Sequence, residues 1–508
     1  MSNLHNPLPS DSLQTRLQPL TPNPNLVFIF SDRQRFDTLR VYGNEWIRTP
    51  HLNALAEESV VVRNCYVTQP VCAPARSSII TGLYPHTAGV PRNRLVMPPH
   101  IQTIAQMLPQ EYRTAYFGKW HLGDEIIRQR GFDEWCSIMD RLWSEYTKPE
   151  YTGRFSDYRQ YLIDLEYIPD SETPGGMIFS DEMRSNLPAE HQQASFLARK
   201  AEDFIRDNAS QPFALYVSML EPHHPFNGPY NHFYDPDTLP VDPSFLIPPT
   251  DGPLVNRLRS EYYMQGEFDG HDLTTESGWR RLRTNYFANI SLVDDAVGRI
   301  VRAIERAGIS DNTVLVFTSE HGDLVGSHAM LELRSFYDPV SRVPMLMRIP
   351  WSDQNHKIVD GNFSQIDIVP TLLDLMGHPV PNQLQGTSRA DVFEGDATLD
   401  GNDVFIQHNG YGDRDLTSEE SRPTLSPEKA KEMNYMNNLP WRSVVTADRW
   451  KLNLCPGDQC ELFDLNTDPY EMTNLFNDPS QRDRIRQMSA RIKVWQDLSG
   501  DLSPLPTV

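Results

Sequence analysis

A cysteine stands at the start of a short predicted helix, in the stretch VCAPAR at residues 71–76. Proline suits the first turn of a helix, where its missing N–H costs nothing, so Pro74 favours a helix that begins near Cys72. A nucleophile at this place would face free backbone N–H groups and the positive end of the helix, which favour developing negative charge. Because a lone cysteine is more often a small buried apolar residue, the hypothesis needs support from other parts of the chain.

Further reactive side chains follow apolar runs that are typical of buried strands, at 25–30, 114–117, 213–219 and 313–317. In α/β sheets, ligands bind beyond the carboxyl ends of the strands. Each polar cluster alone is more typical of a turn or a cap. Four apolar strands that all end in polar, reactive side chains indicate a functional site. The side chains delivered in this way are Asp32, Lys119, His121, His223, Glu320 and His321.

These residue types suit a metal-assisted reaction on an oxyanion. Carboxylates with one imidazole are ligands for a divalent cation such as Ca²⁺, Mg²⁺ or Mn²⁺, which favours Asp32, Glu320 and His321 as a metal site. Arg76 and Lys119 would add positive charge for a tetrahedral oxyanion.

Two histidines are candidates for proton transfer in the same site. His121 and His223 each follow a predicted strand, and imidazole is the side chain most often used for proton transfer. His224, directly after His223, is more typical of a turn residue.

The order of elements predicts an α/β fold. Strands alternate with helices, which favours a large, mixed and mostly parallel sheet flanked by helices. We predict a flexible arm at 1–24, a catalytic domain at 25–395, and a smaller antiparallel-sheet domain at 396–508 that closes one side of the cleft. The aperiodic stretches 137–190 and 226–270 indicate long loops that shape substrate access. Helices are expected at about 49–59, 192–208, 283–307, 367–376 and 480–498.

The composition excludes several classes of partner. A net charge of −22 argues against nucleic acid and anionic membrane as main partners. The chain has no run of about 18 apolar residues, the length that a membrane span needs. No secretory signal is visible, and the five cysteines are sparse and odd in number, so we expect a cytoplasmic, reducing location. Cys455 and Cys460 could pair across a turn, although nothing requires it.

Taken together, the motifs resemble the type I sulfatases of the alkaline phosphatase superfamily. Residues 72–76 (CAPAR) and the Thr-Gly pair at 81–82 match the family signature C-x-P-[SA]-R…T-G, and residues 118–123 (GKWHLG) match its second signature. An isolated C-x-P-x-R is a weak pattern, but an ordered set of motifs is highly specific. The resemblance covers roughly residues 25–480, with further motifs in the family's order at 25–32, 222–225, 318–323, 367–377 and 461–474.

The resemblance implies an activity and its cofactors. In this family a maturation enzyme oxidises the cysteine to formylglycine, and the hydrated aldehyde is the nucleophile that hydrolyses a small sulfate ester. One divalent cation is implied, with Ca²⁺ as the preferred ion and Mg²⁺ or Mn²⁺ as alternatives. The implied metal ligands are Asp32, Cys72, Glu320 and His321, and the implied catalytic residues are Cys72, Arg76, Lys119, His121 and His223.

Three positions depart from the family pattern. Arg33 stands where the family has an acid or a glutamine; arginine has only donors, so it cannot bind a cation. Either water or Gln34 fills that place, or Arg33 turns towards the substrate. Glu320 replaces an aspartate and remains an oxygen ligand. Leu333 replaces a lysine, and the adjacent Arg334 is a possible substitute.

These departures leave two other functions open. One is a phosphonate monoester or phosphodiester hydrolase of the same superfamily, which would use the same nucleophile and metal. The other is a catalytically impaired, sulfatase-like protein that binds a sulfated or phosphorylated ligand. The intact signature at Cys72 argues against the second, because a binding protein needs no modifiable cysteine.

Overall fold

The computed structural model describes residues 22–140, 146–168, 181–410 and 425–508. Most of the predicted arm at 1–24, and parts of the predicted access loop at 137–190, lie outside the described residues. Within the described ranges the chain forms the strands β1 (Asn25–Ser31), β2 (Val60–Tyr66), β3 (Arg113–Gly118), β4 (Glu134–Cys136), β5 (Phe213–Ser218), β6 (Glu267–Phe268), β7 (His271–Asp272), β8 (Thr313–Ser319), β9 (Arg342–Val343), β10 (Met345–Arg348), β11 (Ile358–Ser364), β12 (Val404–Asn409), β13 (Pro440–Val445), β14 (Trp450–Leu454) and β15 (Glu461–Asp464).

The α-helices flank these strands and join them. The longest is α8, and α2 begins at the cysteine of the signature. The helices are α1 (Pro50–Glu57), α2 (Cys72–Thr81), α3 (Ile104–Met107), α4 (Asp157–Asp164), α5 (Asp181–Asn186), α6 (Gln193–Asn208), α7 (Leu254–Met264), α8 (Glu276–Arg306), α9 (Asp338–Ser341), α10 (Ile368–Leu375), α11 (Ala390–Glu394), α12 (Pro427–Asn437) and α13 (Arg482–Ser499).

A nine-stranded mixed sheet forms the centre of the molecule, in the order β11-β2-β10-β8-β1-β5-β3-β4, with β9 beside β2. The strands β8, β1, β5, β3 and β4 are parallel to one another, and β10 runs antiparallel to β8 and β2. Alternate side chains of β1 enter two different cores: Phe28 and Phe30 pack on one face, and Val27 and Ile29 on the other. Burial on both faces explains the continuous apolar runs, and the predicted α/β fold is confirmed.

A second sheet, β12-β13-β14-β15, is entirely antiparallel, as predicted for the C-terminal part. Its apolar face shares a core with the stretch before α2, since Val71 belongs to the same cluster as Val444 and Leu452. The second sheet therefore packs next to the signature helix. The boundary at residue 395 stays a prediction. In the described part of the chain, no helix has both the length and the apolar character that crossing a bilayer requires.

Two stretches that the sequence predicts to be loops contain regular structure. Helix α7 and the β6–β7 hairpin lie within 226–270, and α4 and α5 lie within 137–190. Prolines at 248, 249 and 253 precede α7, so the sequence before the helix is typical of a loop. The buried face of α7 includes Val255, Leu258 and Tyr263. Helix α8 also begins earlier than predicted, because the hydroxyl of Thr275 caps it by accepting the N–H of Gly278 at 3.1 Å.

Candidate active site

The register of the central sheet brings the predicted residues together. Ser31 at the end of β1 is paired with Ser319 at the end of β8, which places Asp32 beside Glu320. On the other side, Gly118 of β3 is paired with Ser218 of β5, the neighbour of β1. The strand-end clusters therefore meet at one edge of the sheet, as the sequence predicts for parallel strands.

Helix α2 presents Cys72 from its first turn, as predicted. The residue before it, Val71, has an extended backbone, and Gly82 ends the helix in the left-handed conformation at φ 68°. The N–H of Ala73 donates to the Asn93 side chain at 2.9 Å, which anchors the first turn. All ten residues of the helix are buried, and the side chain of Cys72 faces the polar cluster rather than solvent.

Ligand atoms of Asp32, Cys72, Glu320 and His321 lie within 4.8 Å of one another. The Nδ1 atom of His321 is 2.8 Å from the carbonyl oxygen of Gly322, which can only accept, so Nδ1 carries the hydrogen. In the neutral ring the lone pair on Nε2 therefore points into the cluster, 3.3 Å from the Cys72 sulfur and 3.2 Å from a Glu320 oxygen. This is the orientation in which an imidazole binds a metal.

The cluster fits a hard cation. Asp32 Oδ1 and Glu320 Oε1 are buried, and neither has a hydrogen-bond partner among the described residues. Burying carboxylate oxygens without a partner is costly, and a divalent cation among them supplies the missing positive charge. Burial lowers the pKa of His321, but the charges of Cys72 and Glu320 outweigh burial and raise the pKa to about 10. The negative charges around this imidazole therefore favour binding of a cation.

Two cations line the opposite side of the carboxylates. Lys119 Nζ donates to Asp32 Oδ2 at 2.6 Å, and Arg76 Nε contacts Glu320. The guanidinium of Arg76 is held by Ser218 Oγ and by the carbonyl of Lys119, both at 2.6 Å, and lies 5.1 Å from the ring of Phe30. Burial lowers the pKa of Lys119, but the charge of Asp32 outweighs it and the pKa is raised, so the lysine remains charged.

The second signature forms a tight loop around Lys119. Gly118 has φ 118°, and a Cβ added there would lie 1.8 Å from the Ser218 carbonyl oxygen, so only glycine fits. The backbone N–H of His121 donates to Glu125 at 2.7 Å. Burial and the charges of Lys119 and Arg76 hold the pKa of His121 well below its usual value, so this histidine is neutral. Sequence reasoning missed Glu125, because one acid in a turn carries no distinctive signal.

His223 lies at the end of the segment that follows β5. Its Nδ1 is 2.7 Å from the carbonyl oxygen of His224, so Nδ1 carries the hydrogen and Nε2 is an acceptor in the neutral ring. Burial and the charge of Arg33 lower the pKa of His223. The ring of His224 stacks on it at 4.3 Å and lies 3.8 Å from Asp269 and 3.9 Å from Glu332. The predicted turn residue His224 thus faces two carboxylates.

Of the three departures, Glu320 lies in the cluster described above, and the other two occupy definite places. Arg33 forms its ion pairs with Asp323 at 3.0 Å and Glu332 at 3.3 Å rather than with a carboxylate of the cluster. The amide of Gln34 is bonded to Ser31 and Thr38, both at 3.0 Å, and is therefore already engaged elsewhere. Leu333 is buried in an apolar core.

Comparisons with known proteins agree with this geometry. The sulfatase family model matches residues 24–378. A second model, described as N-sulphoglucosamine sulphohydrolase, C-terminal, matches residues 326–497. The chain is 26% identical over 494 residues to an ulvan-active sulfatase from Formosa agariphila, covering 92% of this chain and 80% of that protein. It is 28% identical over 470 residues to a choline-sulfatase from Rhizobium meliloti, covering 90% of this chain and 83% of that protein.

Solved structures share the fold. One is a protein in complex with its substrate D-glucosamine-2-N,6-O-disulfate, with a TM-score of 0.71 and 20% identity over 95% of this chain and 99% of that one. Another is a phosphonate monoester hydrolase from Silicibacter pomeroyi, with a TM-score of 0.74 and 22% identity over 93% and 95%. At this level of identity the likeness establishes the fold of the chain.

Proposed function

This chain belongs to the sulfatase family, as a type I sulfatase of the alkaline phosphatase superfamily and hence a sulfuric ester hydrolase, and from that premise we propose how it works. Our proposal is that it hydrolyses a small sulfate ester through a formylglycine made from Cys72. The observation that carries the proposal is the position of Cys72, on a helix N-terminus and within ligand distance of two buried carboxylates and an imidazole.

The proposed nucleophile arises by modification of the chain. A maturation enzyme, with an oxidant of its own, takes two electrons from the Cβ of Cys72; the sulfur leaves as hydrogen sulfide, an oxygen atom replaces it to give an aldehyde, and water adds to give a geminal diol. Because Cys72 is buried in the fold, this modification has to precede folding of the site. A cytoplasmic location is part of the same proposal.

Hydrolysis then takes two steps. One hydroxyl of the diol loses its proton and bonds to sulfur while the bond from sulfur to the alcohol oxygen breaks, and that oxygen keeps the electron pair and takes a proton. The second hydroxyl then loses its proton, the bond between Cβ and the sulfate oxygen breaks, and sulfate leaves as the aldehyde re-forms. A serine sulfate would lack this exit, which is the chemical reason for a diol.

Residues of this chain bind and orient the sulfate. Lys119 and Arg76 are placed to neutralise its oxygens, and their own positions are fixed by Asp32 and Ser218. A divalent cation bound by Asp32, Glu320 and His321 would supply Lewis-acid charge, with Ca²⁺ as our preferred ion and Mg²⁺ or Mn²⁺ as alternatives.

His223 has one way to protonate the leaving alcohol. Its Nδ1–H is committed to the carbonyl of His224, so Nε2 donates only when the ring is an imidazolium. Burial and Arg33 disfavour that form, as the lowered pKa indicates, whereas the negative charge of a bound sulfate ester favours it. We infer that substrate binding itself protonates His223.

The experiment combines mass spectrometry with a substrate panel. Protein co-expressed with a formylglycine-generating enzyme should show an aldehyde in the Cys72 peptide, and should hydrolyse at least one of an aryl sulfate, choline sulfate or a glucosamine sulfate. The C72A variant should lose all activity, whereas C136A, which removes a buried cysteine on the edge strand β4, should keep it.

The alternatives have their own outcomes. Because a phosphonate monoester hydrolase shares the fold, a phosphonate monoester belongs in the same panel, and faster turnover of that ester than of any sulfate would favour the second enzyme. A persistent thiol at Cys72 with no turnover, under conditions that modify a control sulfatase, would contradict the formylglycine mechanism and favour a binding protein.

A further inference from the structure

Arg33 has an unusual backbone and a fixed position. It follows Asp32 directly and adopts a left-handed conformation with φ 69°, which is costly for a residue with a side chain and is concentrated at functional sites. The hydroxyl of Tyr286, on α8, donates to the carbonyl of Arg33 at 2.7 Å and accepts the N–H of Arg35 at 3.0 Å. These two bonds fix the backbone conformation from which the side chain of Arg33 reaches Asp323 and Glu332.

The guanidinium is held at two of its three nitrogens. Its NH1 donates to Asp323 at 3.0 Å and its NH2 to Glu332 at 3.3 Å, while the side chain is only 4% exposed. Its Nε is buried and has no hydrogen-bond partner among the described residues. A buried charged donor without an acceptor is unfavourable, so the guanidinium has capacity for one more acceptor, such as an oxygen of a bound ligand.

The two carboxylates that hold Arg33 are themselves held in place. Asp323 accepts the backbone N–H groups of Val325 at 3.1 Å and Glu332 at 2.9 Å. Glu332 accepts the hydroxyl of Tyr263 at 2.6 Å. A cation fixed in this way has little freedom to lose when it binds a ligand, which is the arrangement that favours binding of an oxyanion.

Arg33 lies on the histidine side of the site. Its partner Glu332 is 3.9 Å from His224, and the ring of His224 stacks on that of His223. The other two cations, Arg76 and Lys119, lie against Asp32 and Glu320 instead. The charge of Arg33 also reaches both histidines, because it lowers the pKa of each of them after burial.

We propose that Arg33 is a catalytic residue of sulfate ester hydrolysis, which binds the ester beside the departing oxygen and stabilises the negative charge that develops there. As the bond from sulfur to that oxygen breaks, the oxygen keeps the electron pair, and Arg33 neutralises it until His223 delivers the proton. Asp323 and Glu332 are positioning residues for Arg33. Leu333 is apolar and buried. The charge of Arg334 also acts on Glu332, but Arg33 is the arginine whose charge acts on both histidines. The inference rests on the proposed function.

The test is the dependence of rate on the leaving group. Modified wild-type protein and the variants R33M and R33K are assayed with a series of aryl sulfates whose phenols differ in pKa. Loss of one charge-stabilising donor lowers kcat/KM by about 100-fold. We expect R33M to show this loss for poor leaving groups and a smaller loss for good ones. A plot of log kcat/KM against phenol pKa should therefore be steeper for R33M than for the wild type. R33K should recover part of the rate and of the slope.

Two further variants separate catalysis from structure. R35K alters another buried arginine, two residues along and paired with Asp37, and should leave the slope unchanged. The double variant R33M/E332Q removes the charge of one of the two carboxylates that lose their cation in R33M, so it keeps the measurement possible if R33M is unstable. It should show the same steep slope as R33M.

The outcomes are distinguishable. An equal loss for good and poor leaving groups, or no loss in R33M, would overturn the role of Arg33 while leaving the sulfatase proposal intact. A wild-type protein that carries the aldehyde and hydrolyses no sulfate ester would instead contradict the proposed function itself.

Discussion

The floor of the site, formed by Asp32, Glu320 and His321, lies directly on the ends of β1 and β8, whereas its rim, formed by His224, Asp269 and Glu332, lies on loops. The floor side chains are fully buried, and the rim side chains are 27%, 15% and 15% exposed. Asp269 and Glu332 of the rim have left-handed backbones, at φ 49° and 68°. Strand register places the floor, whereas side-chain contacts between distant segments place the rim.

The rim depends on helix α7, which clamps the loop at 331–334. Arg259 donates to the carbonyl oxygens of Leu333 and Arg334, and Tyr263 donates to Glu332. A helix inserted between β5 and β8 can vary without disturbing the sheet. From this difference we expect substitutions in the floor to abolish hydrolysis of the sulfate ester. Substitutions in the rim should instead alter which ester is hydrolysed and how tightly it binds.

The largest effect is expected from the floor. D32N replaces a carboxylate that faces both Lys119 and the metal site, and should lower kcat/KM by about 1000-fold and reduce bound metal. Chelation of the wild-type protein should abolish activity and lower Tm, and adding back Ca²⁺, Mg²⁺ or Mn²⁺ in turn should identify the ion by recovery of both. Metal content is measured by mass spectrometry of the ions.

The matched control is D37N, which changes a half-buried aspartate five residues further along that pairs with Arg35. It should retain both metal and activity. Full activity of chelated wild-type protein with no metal bound, or a normal metal content in D32N, would contradict the ligand set that we assign to the floor.

The floor could be predicted from sequence because its parts are local. Asp32 and Glu320 each follow a continuous apolar run, and the rule that ligands lie beyond strand ends brings them together across 288 residues without any knowledge of contacts. The N-terminus of α2 follows in the same way from Pro74 and the cysteine before it. A continuous apolar run marks where a buried strand lies and where it ends, and this is visible in one sequence.

The rim could not be predicted, since nothing local specifies it. The hydrogen bond from Tyr263 to Glu332 joins a helix that follows a proline-rich stretch to a loop with left-handed residues. Neither the helix nor the loop has a recognisable sequence pattern. The same holds for Arg33: the sequence excludes it as a metal ligand, but its pairing with Asp323 and Glu332 depends on the folded loop. The roles assigned to the site residues stay predictions.

An intermediate effect is expected from the rim. Y263F removes the hydroxyl that fixes Glu332, and a hydrogen bond to a charged group contributes about 1.5–3 kcal/mol, so we expect roughly a tenfold or greater loss in kcat/KM. Because Glu332 also positions Arg33, the loss should differ between substrates of different alcohol structure and should be larger for poor leaving groups. Steady-state kinetics on two such substrates measures it.

The neighbouring tyrosine on α7 provides the control. Y262F keeps the helix and its aromatic packing against Tyr263, and should change KM little. If Y263F instead lowers kcat equally for every substrate with KM unchanged, the rim acts on the chemical step and the contrast with the floor fails.

The smallest effect concerns the support beneath the rim. Glu461 on β15 accepts the hydroxyl of Tyr337 at 2.8 Å and the amide of Asn453 at 2.9 Å, and Tyr337 lies five residues after Glu332. Burial raises the pKa of Glu461 to about 7, so the folded protein favours the neutral acid. A raised pKa means that this stabilisation is complete below pH 4.5 or so and is lost as the pH rises through 7.

E461Q mimics the neutral acid at every pH, so its Tm should fall less than that of the wild type between pH 5 and pH 8. The difference should correspond to about 1–3 kcal/mol, and E58Q, at an exposed glutamate, should follow the wild-type curve. Parallel curves for E461Q and the wild type would mean that Glu461 is already ionised in the folded protein. Because Glu461 lies on the second sheet and the floor lies on the central sheet, E461Q should leave metal content unchanged, so a loss of metal in this variant would show that rim and floor are coupled.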